Sequence, residues 1–503
     1  MIALRLADRI GLDEAERSTV YYTALLVNVG CHSDAHEQAK WFGDDIALKS
    51  GKYDHGVRSL RAAAATMSLV GSGNPPLHRF RVGLEFAVSG RRDFDGMIAG
   101  HSAMARTLAE RLGLPAEVQE AVGASYEMWD GKGWPGKLAG DSIPVAARLA
   151  QFSEFVEVAH RLGGNDAAVA LSERRGGSQF DPALSAALRA DPDEILGGLD
   201  SAHTWSAVID AEPALRVTLC EDDFDRALRA IADFVDLKSP YTLGHARAVA
   251  ELAGATAEQL ELSEDEARLL RRAGLVHDLG RLGVSNAIWD KSGPLGAGEW
   301  ERIRLHPYLT ERMLHLSQSL APLGAIAVQH RERLDGSGYP RGLAGGAISR
   351  LARILGAADA YQAMREPRPY RPAREPDEAA GELRGEGRAG RLDAEAVEAV
   401  LGAAGHRVAR RREGPAGLTL REVEVLGLLA RGLSNKQIAA TLVIAPKTVG
   451  NHIEHIYTKT GASNRAGAGL FAMRHGLLPE EPLRGVGTEK MRRSPHDVPT
   501  GSA

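Results

Sequence analysis

Trp129-Asp130-Gly131-Lys132-Gly133-Trp134-Pro135 and Leu334-Asp335-Gly336-Ser337-Gly338-Tyr339-Pro340 are two versions of one heptapeptide, 205 positions apart. The same offset carries His101 to His306, Ile143 to Ile348, Arg148 to Arg353 and Glu154 to Asp359. Upstream the offset becomes 250, where Leu25-Leu26-Val27-Asn28-Val29-Gly30 falls on Leu275-Val276-His277-Asp278-Leu279-Gly280. The 45-residue difference predicts an insertion in the first copy between Gly30 and His101. Downstream, Phe180-Asp181-Pro182-Ala183 resembles Leu392-Asp393-Ala394-Glu395 at an offset of 212, so seven extra residues belong to the second copy, in the Pro-rich stretch from Glu366 to Pro372. Constant offsets across unrelated residue types predict a tandem duplication. Each copy reads helical, with apolar residues at three- and four-residue spacing between Gly and Pro turns. Leu262-Ser263-Glu264-Asp265-Glu266 predicts a helix start with Ser263 as cap and Glu266 closing a capping box.

Composition bounds the rest. At ~150 residues per domain, 503 residues predict three or four domains. Hydrophobic residues at 44% and charged residues at 25% exclude disorder over the whole length. Only 5% of residues are aromatic, which favours helices over β-sandwiches. A net charge of −5 excludes a basic nucleic-acid coat, so any DNA binding must come from a local patch. Cys31 and Cys220 form no Cys-x-x-Cys motif, which excludes a zinc finger and a disulfide scaffold. No apolar run approaches the ~18 residues of a membrane span. Arg5, Asp8 and Arg9 stand where a signal peptide would be apolar. The expectation is a cytoplasmic protein without a membrane.

The two copies differ in their polar residues. The second has His277, Asp278, His306, His330 and Asp359, with His245 upstream; the first has Val27, Asn28, His101, Ser125 and Glu154. The position matching His245 would precede Met1, so either that repeat is incomplete or the chain starts upstream. Six His and Asp side chains on helices or helix ends suit a metal site between the helices of a bundle. Imidazole and carboxylate ligands favour iron, manganese or zinc. An adjacent His277-Asp278 supplies a ligand to each of two metals when the Asp bridges. Such a centre activates water and clamps the attacking and leaving oxygens of a phosphate ester.

Residues 236–372 resemble an HD-GYP domain, the HD-superfamily branch that hydrolyses cyclic di-GMP. The resemblance rests on Pro240-Tyr241-Thr242-Leu243-Gly244-His245, His277-Asp278-Leu279-Gly280, His306-Pro307, His330, Glu332, Asp335-Gly336-Ser337-Gly338-Tyr339-Pro340, Ala352-Arg353-Ile354 and Ala358-Asp359. It implies that His245, His277, Asp278, His306, His330 and Asp359 are metal ligands, with Asp278 bridging two divalent ions, iron or manganese. It implies catalytic roles for Asp278 and Arg281, and a substrate loop of Gly338, Tyr339 and Pro340 with Arg353. This chain departs from the family pattern at Arg281, where the family has Lys, and at Arg331, where it has a second His. A cation at 331 cannot ligate, so the expectation is a binuclear site. Tyr241, where some members carry a ligating Glu, points the same way.

From Gly405 the chain turns basic through Arg407, Arg410, Arg411 and Arg412. Thr419 then caps a helix with Glu422 three residues on, Ser434 caps a second, and Pro446 opens a third that carries Lys447, Thr448, Asn451 and His452 on one side. Two short helices before a longer one with a polar outer face is helix-turn-helix geometry. Between Thr419 and Gly476, seven Lys/Arg oppose three Glu, the local patch required. The run closely resembles the LuxR-type helix-turn-helix on Leu418-Thr419-x-Arg421-Glu422-x-Glu424-Val425-Leu426, Gly432-Leu433-Ser434-Asn435-Lys436-Gln437-Ile438-Ala439, Pro446-Lys447-Thr448-Val449-x-Asn451-His452-Ile453, Ile456-Tyr457-x-Lys459 and Arg465. Ala445 replaces the family's usual capping Ser, and Thr460 its Leu. The resemblance implies that Lys447, Thr448, Asn451 and His452 face the major groove or phosphates, with Lys436 and Lys459 as further DNA contacts.

The expected architecture is all-α: tandem HD-type helical bundles, the first degenerate, followed by a four-helix LuxR-type domain. The expected boundaries are 1–200, 221–404, a basic linker 405–415, the DNA-binding domain 416–478 and a disordered tail 479–503. The expected function is a transcription regulator whose second bundle binds and hydrolyses a cyclic dinucleotide, cyclic di-GMP. Two alternatives stand beside it: a metal- and nucleotide-sensing switch without turnover, and a phosphodiesterase with an accessory DNA-binding domain. Double-stranded DNA is the expected partner, and a homodimer is expected because such modules usually need two half-sites.

Overall fold

The computed structural model describes residues 1–42, 70–71, 76–86, 91–199, 204–213, 219–407, 415–442 and 444–477. Among them every regular element is a helix, with three isolated β-bridges and no strand. The expected tail lies outside the described residues, as do most of the basic linker and much of the expected insertion in the first copy.

The duplication holds element by element. Glu14–Leu26 and Glu264–Val276 are the same helix, 250 residues apart to the residue at both ends. Each opens on a capping box, Asp13 with Glu16 and Ser263 with Glu266, satisfying the orphan amides of the first turn. At the offset of 205, the helices that start at Ala116 and Val145 recur at Ala321 and Arg350. At 212, the helix from Pro182 recurs from Ala394. Ile2–Arg9 overlays only the C-terminal half of the helix His245–Gln259.

Each repeat has its own core. In the first, Leu6, Leu149, Phe152, Leu184 and Leu188 are buried together; in the second, Leu270, Ile354, Leu355, Leu383 and Val400 are. Leu149 and Ile354 occupy equivalent positions, and full burial of such a side chain contributes roughly 1.5–3 kcal/mol. The described residues up to 407, both repeats of the tandem, form one compact unit. Leu108 of the first repeat packs on Ala230 and Phe234, which lead into the second. His36 Nδ1 lies 2.8 Å from Asp290 Oδ2 across the two repeats.

The described residues from 415 form a second unit with its own core of Leu418, Leu426, Leu429, Ile438, Val449 and Ile456. Its helices are Leu420–Ala430, Asn435–Leu442, Pro446–Thr460 and Arg465–Arg474. Thr419 and Glu422 close the expected capping box, and Pro446 takes the first helical position where its missing N–H costs nothing.

Candidate metal centre and nucleic-acid interface

In the second repeat, helix ends deliver most of the candidate ligands. His245 is the first residue of its helix, entered through Gly244 at φ 79°, a left-handed turn that favours glycine. The buried Asp236 caps that helix from the preceding one, accepting the Ala246 amide at 3.0 Å. His277 ends the helix Glu264–Val276, and Asp278 begins the tight turn Leu279–Gly283. His306 opens its own helix, His330 follows Ala321–Ala327, and Asp359 sits mid-helix in Arg350–Arg365. The turn after Asp278 lies against the His306 backbone so closely that a Cβ on Gly280 would meet the His306 carbonyl oxygen at 2.0 Å.

All six side chains are buried, none more than 2% exposed. The carboxylate of Asp278 divides the histidines into two pairs. Its Oδ1 stands 3.4 Å from His306 Nε2 and 3.7 Å from His330 Nε2. Its Oδ2 stands 3.8 Å from His277 Nε2 and 3.9 Å from His245 Nε2. Asp359 Oδ1 joins the second pair, 3.4 Å from His245 Nε2 and 3.8 Å from His277 Nε2. Three of these buried atoms, His245 Nε2, His277 Nε2 and Asp278 Oδ1, make no hydrogen bond of normal geometry. Buried polar atoms left without partners are costly, and an atom set this close fits divalent cations. Ligand atoms of His245, His277 and Asp359 lie within 4.8 Å of one another, as do those of His277, Asp278 and His330.

Electrostatics prepares the same set. Burial pushes the Asp278 carboxyl up, but the charges of His277 and Arg281 win and hold it well below its usual range. For Asp359 the opposing charge is Arg331. Burial lowers His306, and burial together with Arg331 holds His330 well below its usual value, leaving its Nε2 lone pair free of a proton. His245 goes the other way: despite burial, the nearby carboxylates of Asp359 and Glu366 raise it to about 9.

The two departures from the family pattern sit at the centre. Arg281 Nη1 lies 3.1 Å from Asp278 Oδ2, and its guanidinium stacks 3.9 Å above the Trp289 ring. Arg331 Nη1 and Nη2 approach the two oxygens of Asp359 at 3.2 and 3.3 Å. Tyr339 packs edge-on to His306, ring centroids 6.1 Å apart, placing the Gly338-Tyr339-Pro340 loop beside the ligands. Arg353, expected in that loop, is a brace instead. Its Nη1 bonds Asp393, and its Nε and Nη2 bond the carbonyls of Ile348 and Gly345, so the repeat's own structure uses the whole guanidinium. Glu332 is also structural, accepting the amides of Arg341 and Leu343 at 2.8 and 2.9 Å.

The first repeat keeps the braces but, of the candidate ligands, retains a histidine only at His101, the match of His306. Glu127 accepts the amides of Gly136 and Lys137 as Glu332 does those of Arg341 and Leu343. Arg148 pairs with Asp181 as Arg353 does with Asp393. Where the second repeat has Asp278 and Asp359, Asn28 Nδ2 donates to Glu154 Oε1 at 2.7 Å.

Three contributors escape the sequence reading. Thr310 Oγ1 accepts the Gly280 amide and donates to the His277 carbonyl, locking the ligand turn. Trp289 supplies the surface under Arg281 and meets His306 edge-on at 5.3 Å. Glu366 Oε2 lies 2.9 Å from His245 Nδ1. Only Glu366 carried a signal, as the first residue of a stretch that the first repeat lacks.

In the second unit, Lys436, Lys447, Thr448 and Asn451 are exposed and His452 is half-buried. Lys447, Thr448, Asn451 and His452 share the helix Pro446–Thr460, whose Val449, Ile453 and Ile456 face the core. Ala445 makes no side-chain cap. Lys459 is exposed as well, but it is engaged within the unit. Its Nζ bonds Glu422 Oε2 at 2.9 Å and the Gly417 carbonyl at 3.1 Å, tying the helix to the start of the domain.

The family model for the HD domain matches residues 93–184 and 229–396, and the model for bacterial regulatory proteins of the luxR family matches residues 416–472. A 3′3′-cGAMP-specific phosphodiesterase of Vibrio cholerae is 30% identical over 382 residues, covering 75% of this chain and 83% of that protein. A cyclic di-GMP phosphodiesterase of Pseudomonas aeruginosa is 32% identical over 244 residues, 47% of this chain and 56% of that one. The crystal structure of a cyclic GMP-AMP-specific phosphodiesterase from V. cholerae superposes with a TM-score of 0.53 at 26% identity, over 80% of this chain and 91% of the other. No helix among the described residues is long and apolar enough to cross a membrane.

Proposed function

This chain belongs to the HD-domain family, and from that premise we propose that its second repeat is a metal-dependent phosphodiesterase for a cyclic dinucleotide, coupled to a DNA-binding domain. The observation that carries the reading is the split of the histidines between the two oxygens of Asp278. That arrangement would suit two divalent ions, iron or manganese, for which Asp278 would offer one oxygen to each group of histidines. His245, His277 and Asp359 would hold one, and His306 and His330 the other. Such ions, when bound, supply an activated water and charge neutralisation for a phosphoryl group.

The chain's own residues do the rest. Carbonyls of Gly274, Ile303 and Ala327 orient three imidazoles through Nδ1, leaving each Nε2 aimed inward. Arg281, fixed between Asp278 and Trp289, offers a planar cation to a phosphate oxygen in place of a lysine. Tyr339 offers a ring face to a base beside His306. Both cyclic di-GMP and 3′3′-cGAMP are candidate substrates, since relatives named for each match this chain. The second unit would carry the readout to double-stranded DNA through Lys436, Lys447, Thr448, Asn451 and His452, as a cytoplasmic homodimer on two half-sites.

The decisive experiment supplies anaerobically purified protein with iron or manganese, offers each dinucleotide separately, and separates products by chromatography. Linear dinucleotide or GMP is expected, and none from a His277→Ala/Asp278→Ala chain. No product from metal-loaded wild-type protein on either substrate removes the enzymatic reading. One observation favours a second reading, a sensor that binds without turnover: Arg331 already occupies both oxygens of Asp359, competing with a metal for that carboxylate.

A further inference from the structure

His277, His306 and His330 share one means of orientation. In each, Nδ1 sits 2.8, 2.6 and 2.6 Å from the carbonyl three residues earlier, of Gly274, Ile303 and Ala327 respectively. His245 makes no such bond, although the carbonyl of Thr242 accepts its backbone amide at 2.9 Å. Its Nδ1 makes no hydrogen bond of normal geometry and faces a carboxylate oxygen instead, Glu366 Oε2 at 2.9 Å. Glu366 is itself held, its Oε1 taking Gln362 Nε2 and its Oε2 taking Arg368 Nη2, both at 3.0 Å. Arg368 in turn donates from Nη1 to the Tyr241 carbonyl, four residues before His245. The His245 ring is 1% exposed and the Glu366 carboxylate 16%, so water competes little for the pair.

We propose that Glu366 is a positioning residue for His245: it accepts the Nδ1 proton, fixes the tautomer that turns the Nε2 lone pair toward Asp359 and Asp278, and makes this imidazole the most electron-rich of the four. A carboxylate behind a metal-binding imidazole raises its basicity more than a neutral carbonyl does, and losing such a partner typically weakens metal binding 10–100-fold. The inference rests on the reading of this centre as a two-ion site.

The test uses the full chain and Mn²⁺ alone, with free ion followed by electron paramagnetic resonance and folding followed by circular dichroism melting. Glu366→Gln preserves shape and removes charge. It is expected to weaken one Mn²⁺ about 10–100-fold and leave the other within about twofold, with Glu366→Asp in between. Equal affinity for both ions in Glu366→Gln and wild type overturns the inference alone, as does an equal loss at both. A wild-type chain that takes up no Mn²⁺ overturns the two-ion reading and this inference with it. A measurement on the wild type stands apart from any folding defect of a variant. In ¹⁵N-histidine spectra of the Zn²⁺-loaded chain, one ligand Nδ1–H should lie clearly downfield of the other three; four alike would overturn the proposal.

Discussion

Arg331 grips Asp359 through two contacts, at 3.2 and 3.3 Å, and that carboxylate is fully buried. Breaking a buried pair from one side leaves an uncompensated charge and costs about 3–5 kcal/mol. Arg331→Ala should therefore lower the melting temperature of the metal-free chain, and saturating Mn²⁺ should recover most of the loss. Arg331→His should instead raise Mn²⁺ affinity at least about tenfold, by removing a cation and adding a ligand. Calorimetric titration of the two variants checks both; a histidine variant that binds no better than wild type refutes the competition.

Thr310 joins two buried backbone groups of the ligand turn, the Gly280 amide at 2.8 Å and the His277 carbonyl at 3.0 Å. Thr310→Val keeps the volume and strands both, at a cost of about 1–3 kcal/mol. Denaturant unfolding should show that loss, and dinucleotide turnover should fall with it. Turnover unchanged at reduced stability would mean the turn holds its geometry unaided.

Gly280 and Gly30 occupy matching positions, and a Cβ on either would meet a histidine carbonyl oxygen, His306 at 2.0 Å and His101 at 2.1 Å. Both alanine variants should melt at lower temperature, because the clash is with backbone. Only Gly280→Ala should lose Mn²⁺, since only its turn carries ligands. Metal loss in Gly30→Ala as well would show the first repeat supporting the site directly.

His101 Nε2 lies 2.6 Å from Asp34 Oδ2. Burial lowers the pKa of His101, yet bonding to Asp34 and Cys31 outweighs it and raises the group to about 9 from its ordinary 6.5. A raised folded pKa stabilises fully below 6.5 and stops stabilising as pH climbs through about 9. The unfolding free energy of wild type minus that of His101→Gln should thus be largest near pH 6 and lose its pH-dependent part near pH 10, a span of roughly 3 kcal/mol. A difference independent of pH would leave only a packing role.

Lys447 and Lys436 are exposed, while Lys459 is bound to Glu422 and Gly417. Alanine at Lys447 or Lys436 should weaken binding to all duplexes alike and reduce the salt slope by about 1. Lys459→Ala should lower the melting temperature of the second unit without that change in slope. Fluorescence anisotropy on a random duplex across salt concentrations separates the two behaviours.

The periodic and positional part of this molecule was legible in its sequence. The offsets of 205, 212 and 250 located the matching helices, and Ser263 with Glu266 and Thr419 with Glu422 marked their starts. The six candidate ligands converge because each stands at a helix end or on an inward face that the pattern exposes. What stayed hidden depends on long-range contact. Thr310 reads as one more helical threonine, and Trp289 as one more core aromatic, until the turn folds back on them. The partners of Arg353 and Lys459, Asp393 and Glu422, stayed hidden for the same reason, since they lie 40 and 37 residues away in sequence. The unity of the two repeats was equally invisible, since Leu108 meets Phe234 only in three dimensions.

Glu127 and Glu332 hold equivalent loops by equivalent bonds, though only one of those loops borders candidate ligands. The molecule thereby contains its own control experiment. A residue that survives in the emptied copy has an architectural use there, as Glu127 and Arg148 do, so its presence in a motif is not by itself evidence of reactivity. Subtracting one half from the other leaves a short remainder, His277, Asp278, His330, Asp359, Arg281, Arg331 and Glu366, while His306 is shared as His101. Mutagenesis can begin with that remainder.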